Sequence, residues 1–165
     1  MISKKMEKAL NEQINKELFS AYLYLSMAAQ SEAMGLTGFG AWFKQQATEE
    51  TGHAMKFFGY IHEQGARVKL AAIEQPAVDF ASPLAMFQET LKHEKLVTHS
   101  IYDLVDLAAA EKDHATSSFL KWFVDEQVEE EATAQAIGDR LKMIGSSGNG
   151  LLFLDHKLGE RKADD

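Results

Sequence analysis

The sequence predicts an all-α protein: a four-helix bundle with one long crossover between its second and third helices and a short fifth helix near the C-terminal end. Three observations carry that expectation. Four long stretches place apolar residues at alternating steps of three and four, the pattern of a core-facing helix seam. Residues that start or stop helices cluster at a few positions between those stretches, and both prolines, Pro76 and Pro83, fall at a single interruption. With 165 residues and 45% hydrophobic content, the chain suits one domain, residues 1–165, with room for a sizeable core.

The elements follow in order. A first helix, α1, is expected over about 4–34, with the seam Leu10, Ile14, Glu17, Ala21, Tyr24 and Ala28. It stops at Gly35, which tolerates the left-handed backbone that ends helices. Thr37 is the expected cap of α2, about 38–65, whose seam is Phe39, Phe43, Gln46, Glu50, His53, Phe57 and Tyr60. Residues 66–82 have no helical period. Ser82 as cap and Pro83 at the first helical position start α3, about 83–112, with Phe87, Leu91, Glu94, Thr98, Ile101, Val105 and Ala108 in phase. Asp113 caps α4, about 114–144, with Phe119, Phe123, Gln127, Glu130, Ala134, Ile137 and Leu141 in phase. A Gly- and Ser-rich break at 145–150 ends it, and the amphipathic stretch 150–159 forms α5. The short α1–α2 and α3–α4 connections make those pairs antiparallel neighbours. The long α2–α3 connection can run back along the bundle, leaving α2 and α3 parallel.

Each of the four seams carries a carboxylate where a plain bundle would carry leucine: Glu17, Glu50, Glu94 and Glu130. Burying one unpaired carboxylate costs several kcal/mol, against a total domain stability of ~5–15 kcal/mol. No Lys or Arg shares these seams, and His53 is their only basic group. One or more bound cations account for the pattern at least cost; the competing reading is a buried polar network that specifies packing. Glu50-Thr51-Gly52-His53 puts two ligand types one turn apart on one helix face, and Gln127-Val128-Glu129-Glu130 supplies the matching pair on α4. Glu49, Glu126 and Glu129 flank this set on one side, either as a further cation position or as a solvated acidic face. The other histidines, His62, His93, His99, His114 and His156, lie off the seams and are expected at the surface, and the Phe and Met residues read as core filling.

Composition narrows the chemistry. Cysteine is absent, so a metal here must take carboxylate, amide and imidazole ligands, and no disulfide is available. A formal net charge of −8 argues against a nucleic-acid surface and suits the attraction of cations. The first residues lack an apolar leader segment, and no run of about 18 apolar residues occurs. A cytoplasmic setting without membrane association is expected.

On these residues the chain resembles the prokaryotic non-haem ferritins over essentially its full length. The segments Asn11-Glu12-Gln13-Ile14-Asn15-Lys16-Glu17, Phe119-Leu120-Lys121-Trp122-Phe123-Val124-Asp125-Glu126-Gln127 and Glu129-Glu130-Glu131 carry much of that likeness. The one-crossover bundle is the ferritin-like connectivity. The resemblance implies a di-iron ferroxidase centre within each subunit: Glu17 and His53 on one iron, Glu50 bridging, Glu94 and Glu130 on the second, with Gln127 beside it. It implies that Tyr24 hydrogen-bonds a ligand carboxylate, though an ordinary core tyrosine is also compatible with its position. Glu49, Glu126 and Glu129 match positions that hold a third iron in bacterial non-haem ferritins. Two Fe(II) would be oxidised together by dioxygen or peroxide and stored as ferric mineral inside a shell of twenty-four subunits. Thr51 stands where bacterioferritins have a haem-ligating Met, and Gln127 and Glu130 replace their second Glu-x-x-His, so no haem is expected. The four-cysteine domain of rubrerythrins is ruled out by composition, and the miniature Dps-type ferritins build their site between subunits. A non-storage di-metal oxidase or peroxidase on the same bundle is the alternative.

Overall fold

The computed structural model describes residues 1–161 and contains five helices: α1 Lys4–Ala33, α2 Thr37–Glu63, α3 Pro83–Glu111, α4 His114–Ile144 and α5 Gly148–Gly159. The expected boundaries agree to within about two residues. Ser82 accepts from the Ala85 amide at 3.1 Å with Pro83 next to it, and Asp113 accepts from the Thr116 amide at 3.0 Å. Both caps therefore act as their residue types predict. Gly35 turns the chain at φ +76°, a conformation that costs a side chain dearly. Among the described residues, no helix is long and apolar enough to cross a membrane.

One cap differs from expectation. Thr37 lies inside α2, the N-cap is Leu36, and Leu36 makes no side-chain cap bond. The acceptor comes instead from α5: Asp155 Oδ1 takes the Phe39 amide proton at 2.9 Å. A carboxylate at a helix N-terminus also meets the positive end of the helix dipole. Gly38 makes this docking possible, because a Cβ there would fall 1.7 Å from the Asp155 carbonyl oxygen. A tertiary contact more than a hundred residues away has replaced the local one.

Apolar contacts fix the topology. One core cluster joins Tyr24 and Met27 of α1, Phe39 and Phe43 of α2, Phe87 of α3, Leu141 of α4 and Leu154 and Leu158 of α5. The other joins Leu10 and Ile14, Phe57 and Ile61, Ile101 and Leu104, and Leu120 and Phe123. The late half of α1 thus meets the early halves of α2 and α3 and the late half of α4, which is an up-down-down-up bundle. Between the two clusters lies the layer of carboxylates. Among the described residues, α2 and α4 have no Cα pair within 8 Å and meet only through long side chains.

Two seams shift from the sequence expectation. On α3, Thr90, Val97 and Leu104 are buried while Leu91 and Val105 are only half-buried; on α4, Leu120 sits deeper than Phe119. A straight helix advances 3.6 residues per turn, so a strict three-four count drifts around it.

The crossover is strapped to α1 by polar side chains. Asn11 donates to the Arg67 carbonyl and accepts from the Lys69 amide at 2.6 Å, and Asn15 donates to the Ala72 carbonyl at 3.0 Å. Further along, Ser26 donates to the Ala77 carbonyl at 2.6 Å, and Gln30 exchanges two bonds with the Phe80 main chain. The strap runs parallel to α1 along most of its length, and this carries the chain back to start α3 at the right end.

Gly38→Ala reads out the α5 docking. A glycine-to-alanine change within a helix ordinarily gains up to about 1 kcal/mol. Here the added methyl would push α5 off its seat, and the expected net effect is a loss of about 1–3 kcal/mol, seen as a melting temperature several degrees lower. An unchanged or higher melting temperature would mean that α5 is not held at this point.

Candidate metal centre

The four helices deliver their seam residues to one buried layer. Glu17 and Glu94 are 1% exposed, Glu50 2%, Gln127 4%, His53 5% and Glu130 7%. One donor atom each from Glu17, Glu50 and His53 lie within 4.8 Å of one another, as do those of His53, Glu126 and Glu130. His53 Nδ1 is 3.4 Å from Glu50 and 4.0 Å from Glu17, while Nε2 is 3.8 Å from Glu126. Burial depresses the His53 pKa to about 4, with Lys56 adding to the effect, so the imidazole is neutral. A neutral ring has one nitrogen lone pair to give to a metal.

Three of the four seam carboxylates have a neutral hydrogen-bond donor, while Glu50 is paired with the Glu17 carboxyl. Gln13 donates to Glu17 at 2.8 Å and is itself held by Ser100; Gln46 donates to Glu130 at 2.6 Å. Tyr24 donates its hydroxyl proton to Glu94 in a short bond, and Gln127 donates to the same carboxylate at 3.1 Å. Tyr24 stays protonated, its pKa driven well up by burial and by the charges of Glu94 and Glu50. Glu94 faces these two donors and joins neither donor-atom group, although the sequence reading places it with Glu130.

The flanking acids divide. Glu126 turns in to His53 and Glu130, whereas Glu129 is exposed and in neither group. Glu49 is taken by Arg161, whose guanidinium bonds both of its carboxylate oxygens. Trp122 packs edge-on to His53 at 5.3 Å under the Lys56 ammonium, which lies 4.0 Å from the ring centre.

Several participants were not identified from sequence. Gln13 is four residues before Glu17 on the same face, a spacing that could have revealed it. Glu131, absent from the flanking set, accepts from Thr98 of α3 at 2.6 Å. His93 is no surface group: its Nε2 is 2.7 Å from the Ser20 hydroxyl, the Phe19 ring lies against it, and burial depresses its pKa to about 4. Arg161 gave no local signal at all.

Burial dominates the charge state of the acids. It raises Glu17 to about 7 and Glu130 to about 8, and repulsion from Glu94 and Glu49 adds to the Glu130 shift. Glu50 is driven well up by burial and then by Glu94 and Glu17; Glu94 rises through burial despite bonds from Tyr24 and Gln127. The metal-free layer is consequently partly protonated near neutral pH. Such a set of buried oxygen donors with one neutral imidazole suits hard or borderline divalent cations, iron(II) among them.

These shifts set a stability profile. Unfolded carboxyls lose their protons near the usual 4.5, so from there to about pH 8 the folded, metal-free chain holds more protons, and its stability falls as pH rises. His53 and His93 oppose this only between about pH 4 and their usual 6.5. Melting curves under chelation should therefore fall from pH 6.5 to 8. Glu17→Met should flatten the fall and raise the melting temperature, since exchanging a buried charge for a packed apolar group can gain roughly 1–4 kcal/mol. A melting temperature that rises with pH across this window would show the acids ionised and balanced without metal. Glu94→Leu is the poorer exchange, because it strands the Tyr24 hydroxyl.

Comparison with known proteins agrees with this geometry. The Ferritin-like domain family model matches residues 7–144. A bacterial non-heme ferritin of Bacteroides fragilis is 46% identical over 161 residues, covering 98% of this chain and all of that one. A bacterial non-heme ferritin of Staphylococcus aureus is 42% identical over 165 residues, covering the whole chain and 99% of the relative. The engineered closed form of the Archaeoglobus fulgidus ferritin superposes with a TM-score of 0.98 at 51% identity, covering 99% of this chain and 100% of that one. A humanized archaeal ferritin superposes with a TM-score of 0.99 at 48% identity over the full length of both chains. Helix order, the carboxylate layer and these likenesses converge, and the chain belongs to the prokaryotic non-haem ferritin family.

Proposed function

We propose that this chain oxidises Fe(II) at an intrasubunit di-iron centre and stores the product as ferric mineral within a hollow shell of its own copies. The observation that carries this is the buried layer in which Glu17, Glu50, Glu94 and Glu130 meet one neutral His53 with no Lys or Arg among the seam residues. In this reading Glu17 and His53 hold one iron, Glu50 bridges, and Glu94 and Glu130 hold the second, with Gln127 beside it. Tyr24 fixes the Glu94 carboxylate through its hydroxyl. Glu126, with Glu49 and Glu129, offers a third position on the flank.

The reaction needs two electrons at once. Two Fe(II) held side by side can reduce dioxygen to peroxide, or peroxide to water, without releasing a one-electron-reduced oxygen species. The chain's part is to bind both ions, keep water and side reactions out by burial, and give up carboxyl protons as the cations arrive. No haem role is proposed, and a cytoplasmic setting is part of this reading.

Self-association, to twenty-four subunits in this reading, is supported by apolar side chains left on the surface of the single chain. Leu25 and Val78 are about half exposed beside the crossover, and Leu152 and Phe153 of α5 are exposed by 61% and 66%. Sedimentation should show a large hollow particle that fills with iron on aerobic Fe(II) addition. A monomer or dimer that still oxidised iron would instead leave a non-storage di-metal oxidase.

Glu50→Ala and His53→Ala should each abolish the rapid absorbance rise after Fe(II) mixing while leaving assembly intact. The Glu50 change should be the more severe, because both ions lose a ligand. Wild-type rates in either variant would remove the assignment.

A further inference from the structure

We infer that Arg161 is a tethered cation that occupies the Glu49 side of the third position and withdraws when a divalent cation binds there. This rests on the reading of Glu49, Glu126 and Glu129 as a third metal position.

Arg161 follows α5 and lies 112 residues from Glu49 in sequence. Docking of α5 through Leu154, Leu158 and Asp155 brings it to the α2 face that carries Glu49. Its Nη2 lies 2.9 and 2.6 Å from the two Glu49 oxygens, and its Nη1 donates to Gln46 Oε1 at 2.8 Å. The guanidinium also stacks over Trp42, 5.0 Å from the ring centre. The paired side chains are only 24% and 19% exposed, so the contact is largely shielded from water and salt.

Two consequences follow from this arrangement. Glu49 Oε1 accepts from both Arg161 and Gln45 and Oε2 accepts from Arg161, so a metal ion that takes this carboxylate competes with the guanidinium for its lone pairs and meets its positive charge. Arg161 also orients Gln46: with its carbonyl oxygen held by Arg161, the Gln46 amide nitrogen is left facing Glu130 at 2.6 Å. One cation from the far end of the chain thereby steadies Glu49 directly and Glu130 through Gln46. Its withdrawal frees the Gln46 amide, which links filling of the third position to the carboxylate proposed for the second iron. Arg161 is thus a positioning residue, and the metal competes with it for Glu49.

Zn(II), which neither donates nor accepts electrons here, is the probe. Calorimetric titration of the assembled wild type should give three zinc ions per chain, the third being the weakest. Arg161→Ala should tighten that third step roughly tenfold, the scale of one charge-assisted contact. It should move the two tighter steps far less. Arg161→Lys, which keeps the charge without the fork, should fall between. A crystal structure of zinc-soaked wild type should show Arg161 parted from Glu49. Three zinc ions with an unchanged or weaker third step in Arg161→Ala would overturn the Arg161 role and leave the third position standing. So would zinc on Glu49 with the guanidinium still in place. Two zinc ions in all variants would remove the third position, and the inference with it.

Discussion

Buried carboxylates without an opposing charge in the core are the constraint on which the rest of the molecule depends. In the folded chain they form a layer that divides the apolar interior into two clusters. The layer survives without metal because Glu17, Glu94 and Glu130 are met by the neutral donors Gln13, Tyr24, Gln127 and Gln46, because Glu50 pairs with the Glu17 carboxyl, and because burial lets Glu17 and Glu130 keep protons near neutral pH. Those same donors leave the acids able to ionise when a cation supplies the missing charge. A strong internal Lys or Arg would have stabilised the empty protein and blocked the metal.

The surrounding structure holds this layer in register. Apolar clusters clamp it at both ends, the crossover fixes the direction of α3, and α5 plugs the N-terminus of α2. The oxidation chemistry proposed for this centre would depend on ligand positions held within fractions of an ångström, which side chains on long, doubly clamped helices can supply.

Local pattern made much of this legible. The Ser82, Pro83 and Asp113 signals acted where their chemistry required, and Glu17, Glu50, His53, Gln127 and Glu130 reached the core because helical phase is stiff over a few turns. What escaped was what folding, and not the helix, brings together. Asp155 replaced Thr37 as the α2 cap from another element, Arg161 reached Glu49 only through α5, and His93 was half-buried by α1 packing beside it. The α3 seam drifted by a residue, as long helices do when counted by a fixed repeat. Glu94 shows the limit at atomic scale: its burial was readable, while its turn toward Tyr24 and Gln127 was not.

The strap along α1 has an evolutionary side. Asn11, Asn15, Ser26 and Gln30 grip its main-chain groups and none of its side chains. Its path is therefore written largely into α1, with Val68, Pro76 and Phe80 as the strap's own inward side chains. Substitutions at the strap's exposed positions can accumulate without rerouting it, provided they spare the backbone geometry. A lineage can thus rewrite the outer surface there, in charge or in shape, while the interior chemistry is inherited unaltered.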